Sequence, residues 1–106
     1  MNEDDNLISQ AFLAFATEAP QHAAAWGEMV GRLAQASALD AKTSALSYLA
    51  VLAVLGAASG LPFHVKAAKA AGATRDEVIS AVLVGLPAAG HKVTQALPAA
   101  IAAYDD

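Results

Sequence analysis

Alanine dominates this chain and limits the folds that it can adopt. It supplies 29 of the 106 residues, whereas glycine and proline together supply 11. Because alanine has the highest helix propensity and packs poorly on a pleated surface, the composition predicts an all-α fold and excludes a β-rich one. Hydrophobic residues make up 57% of the chain. A chain of this length buries only about 65% of its unfolded surface, so we expect further copies in a homo-oligomer to cover the rest.

Charge and cysteine content exclude several classes of function. The formal charge is −4, from 6 basic and 10 acidic residues. Without clustered cations to neutralise phosphates, the chain is expected to bind no nucleic acid. The absence of cysteine excludes disulfides and thiolate catalysis and fits a reducing compartment. The acidic start resembles neither a secretory signal nor a transit segment, so we expect a cytoplasmic protein.

The stretch from Thr43 to Phe63 contains no charged residue and could in principle enter a membrane. A bilayer span needs about 18 to 20 continuous apolar residues. The segment Ser59-Gly60-Leu61-Pro62 interrupts the run, and alanine is only weakly lipophilic. We therefore predict a buried helix at the centre of an assembly, and no membrane partner.

Prolines, glycines and capping residues divide the chain into about six helices. The predicted helices run from Asn6 to about Thr17, from Pro20, from Ala41 to about Ala58, from Pro62 to about Ala71, from Thr74 towards Pro87, and from His91 to Tyr104 with a bend near Pro98. Asp40 is a predicted N-cap, and Thr74 with Glu77 forms a capping box. We expect one domain spanning 1–106, with N-terminal helices over 1–38 and a core over 39–106.

The three histidines, His22, His64 and His91, show no metal-ligand spacing, and the glycines form no phosphate or dinucleotide motif. We therefore expect neither a metal nor a cofactor. His64 is the candidate catalytic residue, because Pro62 places it in the first turn of a helix, where the helix dipole disfavours the imidazolium. A neutral imidazole can act as a general base. The alternative is a partly buried histidine that a carbonyl satisfies.

Four further residues are candidates for substrate binding: Lys66, Tyr48, Ser59 and His91. His91 follows Gly90 at another predicted helix start, whereas Tyr48 and Ser59 supply hydroxyls near the apolar centre. Lys66, together with Lys42, Lys69 and Arg75, would hold an anion if these cations converged beside His64; a solvated face is the alternative. On a helix Lys66 lies about 200° around from His64, which argues against its direct participation and leaves Lys42 and Lys92 as alternative anchors.

The order of these signals resembles the carboxymuconolactone decarboxylase family, which includes the alkylhydroperoxidase D-type proteins. The resemblance rests on Leu39-Asp40-Ala41-Lys42-Thr43, on His64 before the segment from Ala68 to Val78, and on Gly85-Leu86-Pro87-Ala88-Ala89-Gly90 before a final helix. It implies an alkylhydroperoxidase D-like helical bundle in which a helical hairpin packs against another subunit. Trimers or hexamers with ligand pockets near the subunit interfaces are implied as well.

The sequence departs from the peroxidase branch of that family. Ala57 and Gly60 stand where that branch has its cysteine pair, and Ala45 stands where it has a glutamate. Thiol peroxidase activity is therefore excluded. The decarboxylase branch has a basic residue two positions after the histidine, as Lys66 is here, which implies a cofactor-free, decarboxylase-type lyase acting on a small organic carboxylate or lactone. The alternative is a catalytically silent helical oligomer that binds a small apolar ligand, because the segment before His64 is mostly apolar.

Overall fold

The structure is a computed structural model that describes residues 9–106 of the chain. These residues belong to two compact units, one ending at Leu39 and the other comprising Asp40–Asp106. The boundary lies one residue beyond the predicted division after residue 38. The assignment of the whole chain to a single domain stays a prediction, and Asn6, the predicted first cap, lies outside the described residues.

The described residues of the first unit form two helices, α1 (Gln10–Glu18) and α2 (Pro20–Ala36). The Ser9 hydroxyl accepts a hydrogen bond from the Phe12 amide at 3.1 Å and caps α1. The rings of Phe12, Phe15 and Trp26 pack edge to face, with centroids 5.5 to 6.3 Å apart. No residue of either helix is buried. The aromatic contacts therefore join the hairpin without enclosing a core.

The second unit begins with α3 (Ala41–Leu55), a 3₁₀ turn (Ala58–Gly60) and α4 (Leu61–Ala70). It continues with α5 (Arg75–Leu83), α6 (Leu86–Ala89), a 3₁₀ helix (Gly90–Ala96) and α7 (Leu97–Asp105). Residues 9–106 contain no strand. The predicted all-α fold is confirmed.

Local capping signals place several helix starts where the sequence predicts them. The Asp40 carboxylate accepts from the Thr43 amide at 2.7 Å and begins α3. At the start of α5, the Thr74 hydroxyl accepts from the Glu77 amide at 3.1 Å, and the Glu77 carboxylate accepts from the Thr74 amide at 2.8 Å. Pro62 lies in the first turn of α4, where its missing N–H is not needed.

Two predicted helices end or begin elsewhere. The helix expected to reach Ala58 ends at Leu55, because Gly56 adopts a left-handed conformation with φ of 72°. The segment from His91 to Tyr104, expected to be one helix with a bend near Pro98, is a 3₁₀ helix followed by α7, which begins at Leu97 next to the expected bend. Pro98 lies in the first turn of α7, where it cannot supply the amide that a continuous helix requires.

The buried core belongs entirely to the second unit and contains no polar side chain among the described residues. Its members come from α3, α4, α5 and α7, together with Ala73 and Val93. They are Leu49, Leu52, Ala53, Leu61, Val65, Ala68, Ala73, Val78, Ala81, Val82, Val93, Ala100 and Ala103. Gly85 allows the backbone after α5 to approach α3, since a Cβ there would lie 2.7 Å from Val54 Cγ2.

The uncharged stretch from Thr43 to Phe63 is divided between α3, the 3₁₀ turn and the start of α4. Within residues 9–106, no helix has both the length and the hydropathy that crossing a bilayer requires. In the single chain α3 buries Leu49, Leu52 and Ala53 on one face, whereas Val51 and Leu55 on another face are exposed. Complete burial of this helix is therefore not achieved within the second unit alone.

Candidate functional site

His64 and Tyr48 lie against each other on neighbouring helices of the second unit. His64 is in the first turns of α4, and Tyr48 is in the middle of α3. Their ring centroids are 4.5 Å apart, with the planes tilted by 51°. Phe63 packs edge to face on His64 at 5.2 Å and is itself half exposed. We call Tyr48, Phe63 and His64 the aromatic site.

The aromatic site keeps the His64 imidazole neutral. Burial lowers the pKa of His64 from its ordinary value of 6.5, because desolvation penalises the charged ring. This direction is the one that the position of His64 near the start of a helix predicts, and the cause that the structure shows is burial. Within residues 9–106 the ring makes no hydrogen bond. A neutral imidazole with a free nitrogen can accept a proton from a ligand or donate a hydrogen bond to one.

The structure does not bring Lys66 to the aromatic site. Its ammonium donates to the main-chain oxygen of Asp106 at 2.8 Å and lies 3.6 Å from an oxygen of the Asp106 side chain. Lys69 donates to the Tyr104 carbonyl at 2.7 Å and lies 4.7 Å from the centre of the Tyr104 ring. Both lysines therefore hold the end of α7, where cations are favoured by the helix dipole.

The other two members of the expected cation cluster, Arg75 and Lys42, are also paired. Arg75 donates two hydrogen bonds to the Asp105 carboxylate, at 2.9 and 3.2 Å, and these lower the pKa of Asp105. Lys42 forms an ion pair with Glu77 at 2.8 Å, and its hydrogen bond lowers the pKa of Glu77. The cations thus join the helix ends rather than converge beside His64. No local spacing in the sequence links these cations to their acidic partners, so the sequence did not predict the pairs.

Ser59 and His91 lie in the two 3₁₀ segments, and both are exposed. The His91 carbonyl accepts a hydrogen bond from the Thr94 hydroxyl at 2.7 Å. Lys92, the remaining alternative anchor, is also exposed. No ring contact or hydrogen bond among the described residues joins these three side chains to the aromatic site. Their roles in substrate binding stay predictions.

A groove of about 660 Å³ runs between α3 and α5, and His64 does not line it. Small and polar side chains form most of its walls. They are Thr43, Leu46, Ser47, Ala50, Asp76, Glu77, Ser80, Ala81 and Val84. No motif in the sequence marks this groove, although small residues recur at helical spacing on both helices.

No group of three or more histidine, aspartate or glutamate side chains within the described part of the chain is placed to hold a metal ion.

Comparison with known families identifies the chain. The sequence profile described as "Carboxymuconolactone decarboxylase family" matches residues 20–102. The chain belongs to the carboxymuconolactone decarboxylase family. The match begins with the first residue of α2, so it extends beyond the motifs that start at Leu39. Searches among curated proteins and among solved structures found no match.

Membership in the carboxymuconolactone decarboxylase family gives the aromatic site its context. His64 is the histidine that the sequence motifs single out, and this member of the family contains no cysteine. The two positions where the peroxidase branch has its thiols, Ala57 and Gly60, lie just before α4. Within the aromatic site, the groups able to exchange a proton or donate a hydrogen bond are the His64 imidazole and the Tyr48 hydroxyl.

Proposed function

We propose that this protein is a cofactor-free enzyme, a decarboxylase-type lyase that acts on a small organic carboxylate or lactone, with His64 as the proton carrier. The observation that carries the proposal is the contact between His64 and Tyr48, with ring centroids 4.5 Å apart. It combines an imidazole that desolvation keeps neutral with a hydroxyl donor on a half-exposed aromatic surface. Proton transfer near neutral pH needs an imidazole of this kind.

The proposed reaction needs few groups. When the carbon–carboxylate bond breaks, CO₂ leaves and the bonding electron pair remains on the substrate carbon. The neutral His64 imidazole takes a proton from water, leaving hydroxide, and the resulting imidazolium delivers that proton to the carbon in place of the carboxyl group. The Tyr48 hydroxyl donates a hydrogen bond to a carbonyl oxygen of the substrate and so orients it. Ser59 and His91 remain candidates for contacts with the carboxylate or lactone, whereas Lys66 of the same chain is held by Asp106.

A homo-oligomer is part of the proposal. On α3 the side chains of Tyr48, Val51 and Leu55 are 46%, 51% and 70% exposed, and they recur at spacings of three and four residues. Such a stripe marks one continuous helix face. We propose that a second copy covers this face and encloses the aromatic site. Of the assemblies that the family resemblance implies, a trimer or a hexamer would provide this cover.

One observation favours a second candidate function, a catalytically silent oligomer that binds a small apolar ligand. Lys42, Lys66, Lys69 and Arg75 all contact acidic or carbonyl partners within the chain. None of these contacts places a cation beside His64 to orient a carboxylate. A ligand without charge would need no such partner.

Turnover of a panel of γ-lactone carboxylates, followed by CO₂ release, tests the proposal. His64→Gln should lower kcat by about 10²- to 10⁴-fold, the usual contribution of general acid–base catalysis. The matched control is His22→Gln, on the exposed surface of α2, which should retain the wild-type rate. An undiminished rate in His64→Gln would remove His64 from the mechanism. Absence of turnover across the panel, with an apolar ligand bound equally by wild type and His64→Gln, would favour the silent oligomer.

A further inference from the structure

The helix α2 carries an apolar stripe that its own hairpin covers only in part. Trp26, Met29, Val30 and Leu33 recur at spacings of three and four, and Met29 and Leu33 are 47% and 62% exposed. The rings of α1 contact the stripe at Trp26. The side occupied by Met29 and Leu33 has no such cover within the hairpin. Burying this side would remove apolar surface from water and stabilise the helix.

The uncovered side has the shape of a helix-packing surface. A groove of about 500 Å³ follows it and is lined by Ala25, Glu28, Met29, Arg32, Leu33 and Ala36. The first four and the last four of these residues each have the spacing i, i+3, i+4, i+7. Four residues at that spacing form the hole that receives one side chain from a facing helix. The groove therefore consists of two successive holes on a single helix.

We propose that the occupant is α2 of a second copy, packed antiparallel about a two-fold axis near Gly31. Leu33 of the partner subunit then enters the hole around Glu28 and Met29, and Met29 of the partner subunit enters the hole around Arg32 and Leu33. A single position of the two-fold axis allows both side chains to insert. The symmetry then repeats each insertion from the first copy into the second. The same residues thus act as the inserted side chains and as the walls of the holes.

The charges beside the groove favour the antiparallel arrangement. Glu28 and Arg32 pair within the helix at 2.7 Å and form one edge of the stripe. In an antiparallel pair related by a two-fold axis, the same edge of both helices meets. Glu28 then lies within about 2 Å, along the axis, of Arg32 of the partner subunit at a rise of 1.5 Å per residue. In a parallel pair this edge would instead face the side of the partner helix that carries Trp26 and Val30, without an opposite charge.

This interface rests on the homo-oligomer proposed above and is independent of the chemistry proposed for His64. A two-fold contact joins copies in pairs, so it fits a hexamer built from three dimers and excludes an assembly made of a single trimer. It also leaves the exposed face of α3 available for the second kind of contact that a hexamer requires.

The test measures molar mass by light scattering for the full-length wild type, Glu28→Arg, Arg32→Glu and an equimolar mixture of the two variants. Each single variant places like charges opposite each other in its own pair. We expect its mass to fall to half, with a dissociation constant raised at least about tenfold. The mixture restores opposite charges only between different chains, and we expect it to regain the wild-type mass. Mixing cannot restore the pair within a helix, so recovery identifies the contact between copies.

Two further variants separate the interface from helix stability. Leu33→Glu should halve the mass, and no mixing partner should restore it, because the inserted side chain is lost. Ala34→Lys changes the charge on a different face of α2 and should keep the wild-type mass, while far-UV circular dichroism reports the helix content of every variant. A monomeric wild type overturns both the homo-oligomer and this interface, whereas turnover by His64 remains separately measurable. A trimeric wild type, single variants of unchanged mass, or a mixture that stays at half mass overturns the interface alone.

Discussion

The imidazole of His64 and the phenol ring of Tyr48 lie 4.5 Å apart, measured between ring centroids, although sixteen residues and a helix break separate them in the chain. Burial of the imidazole, which desolvates its charged form, lowers the pKa of His64. Shifts of a pKa through burial are common among titratable groups at functional sites. The same shift makes the folding of the chain sensitive to pH.

His64 should make the folded state less stable in mild acid. Its pKa in the folded chain lies below the unfolded value of 6.5, so the unfolded chain binds more protons between these two values. The contribution of His64 to the free energy of unfolding should therefore be constant above pH 6.5. The free energy of unfolding should decrease as the pH falls through 6.5 towards the folded-state pKa. Urea unfolding at a series of pH values, with the wild type and His64→Gln, measures the difference.

In His64→Gln this part of the pH dependence should be absent, while His22→Gln serves as the comparison on an exposed helix surface. If His64→Gln retained the full loss of stability in mild acid, burial of the His64 ring could not be its cause. An NMR titration of the His64 ring in the folded protein gives the folded-state pKa directly.

Gly85→Ala should destabilise the second unit by about 1 to 3 kcal/mol, the usual effect of forcing an extra carbon into a packed site. Its Cβ would lie 2.7 Å from Val54 Cγ2, and a β-branched side chain on a helix has little freedom to move away. The matched control is Gly60→Ala, whose Cβ would meet His64 Cδ2 at 3.9 Å, an ordinary contact. Equal unfolding midpoints for the two variants in urea would argue against the close approach at Gly85.

Thr74→Ala should lower the free energy of unfolding by about 1 kcal/mol, because the amide of Glu77 loses the oxygen that caps α5. Thr74→Ser retains a hydroxyl at the same position and should stay close to the wild type. Chemical denaturation of the three proteins at one pH makes the comparison. A serine variant as unstable as the alanine variant would show that the threonine acts through its methyl group instead.

Tyr104→Phe should destabilise the protein by about 1 kcal/mol, the typical contribution of one hydrogen bond. The Tyr104 hydroxyl donates to the Ala73 carbonyl at 2.9 Å and joins α7 to the loop before α5. Tyr48→Phe is the control, since the Tyr48 side chain is half exposed. Loss of the Tyr48 hydroxyl should change the free energy of unfolding by less than about 0.5 kcal/mol. Thermal unfolding of both variants decides between a structural and a neutral role for the Tyr104 hydroxyl.

Several elements were predictable because their causes lie within a few residues of each other. Asp40 and Thr43, or Thr74 and Glu77, determine a helix start through contacts three residues apart. The ends of helices were less predictable: Gly56 stops α3 three residues before the expected position. There the choice between continuing and stopping depends on how the next segment packs, which local propensity does not contain.

The candidate site shows the same division. His64 could be identified from Pro62 and from the order of motifs along the chain, but its contact with Tyr48 depends on how α3 meets α4. Lys66 is a basic residue at the position, two after His64, where the resemblance implies one. Its pairing with Asp106 spans forty residues and could not be inferred from spacing.

By itself, the sequence determined that this protein is helical and free of thiol chemistry, since these properties follow from composition and short-range capping. Only the tertiary structure decided which side chains meet: it paired the cations with acids at helix ends and placed Tyr48 against His64. The reason is physical. Helix propensity and capping act over three or four residues, whereas ion pairs, ring contacts and burial depend on the packing of helices that are distant in the chain.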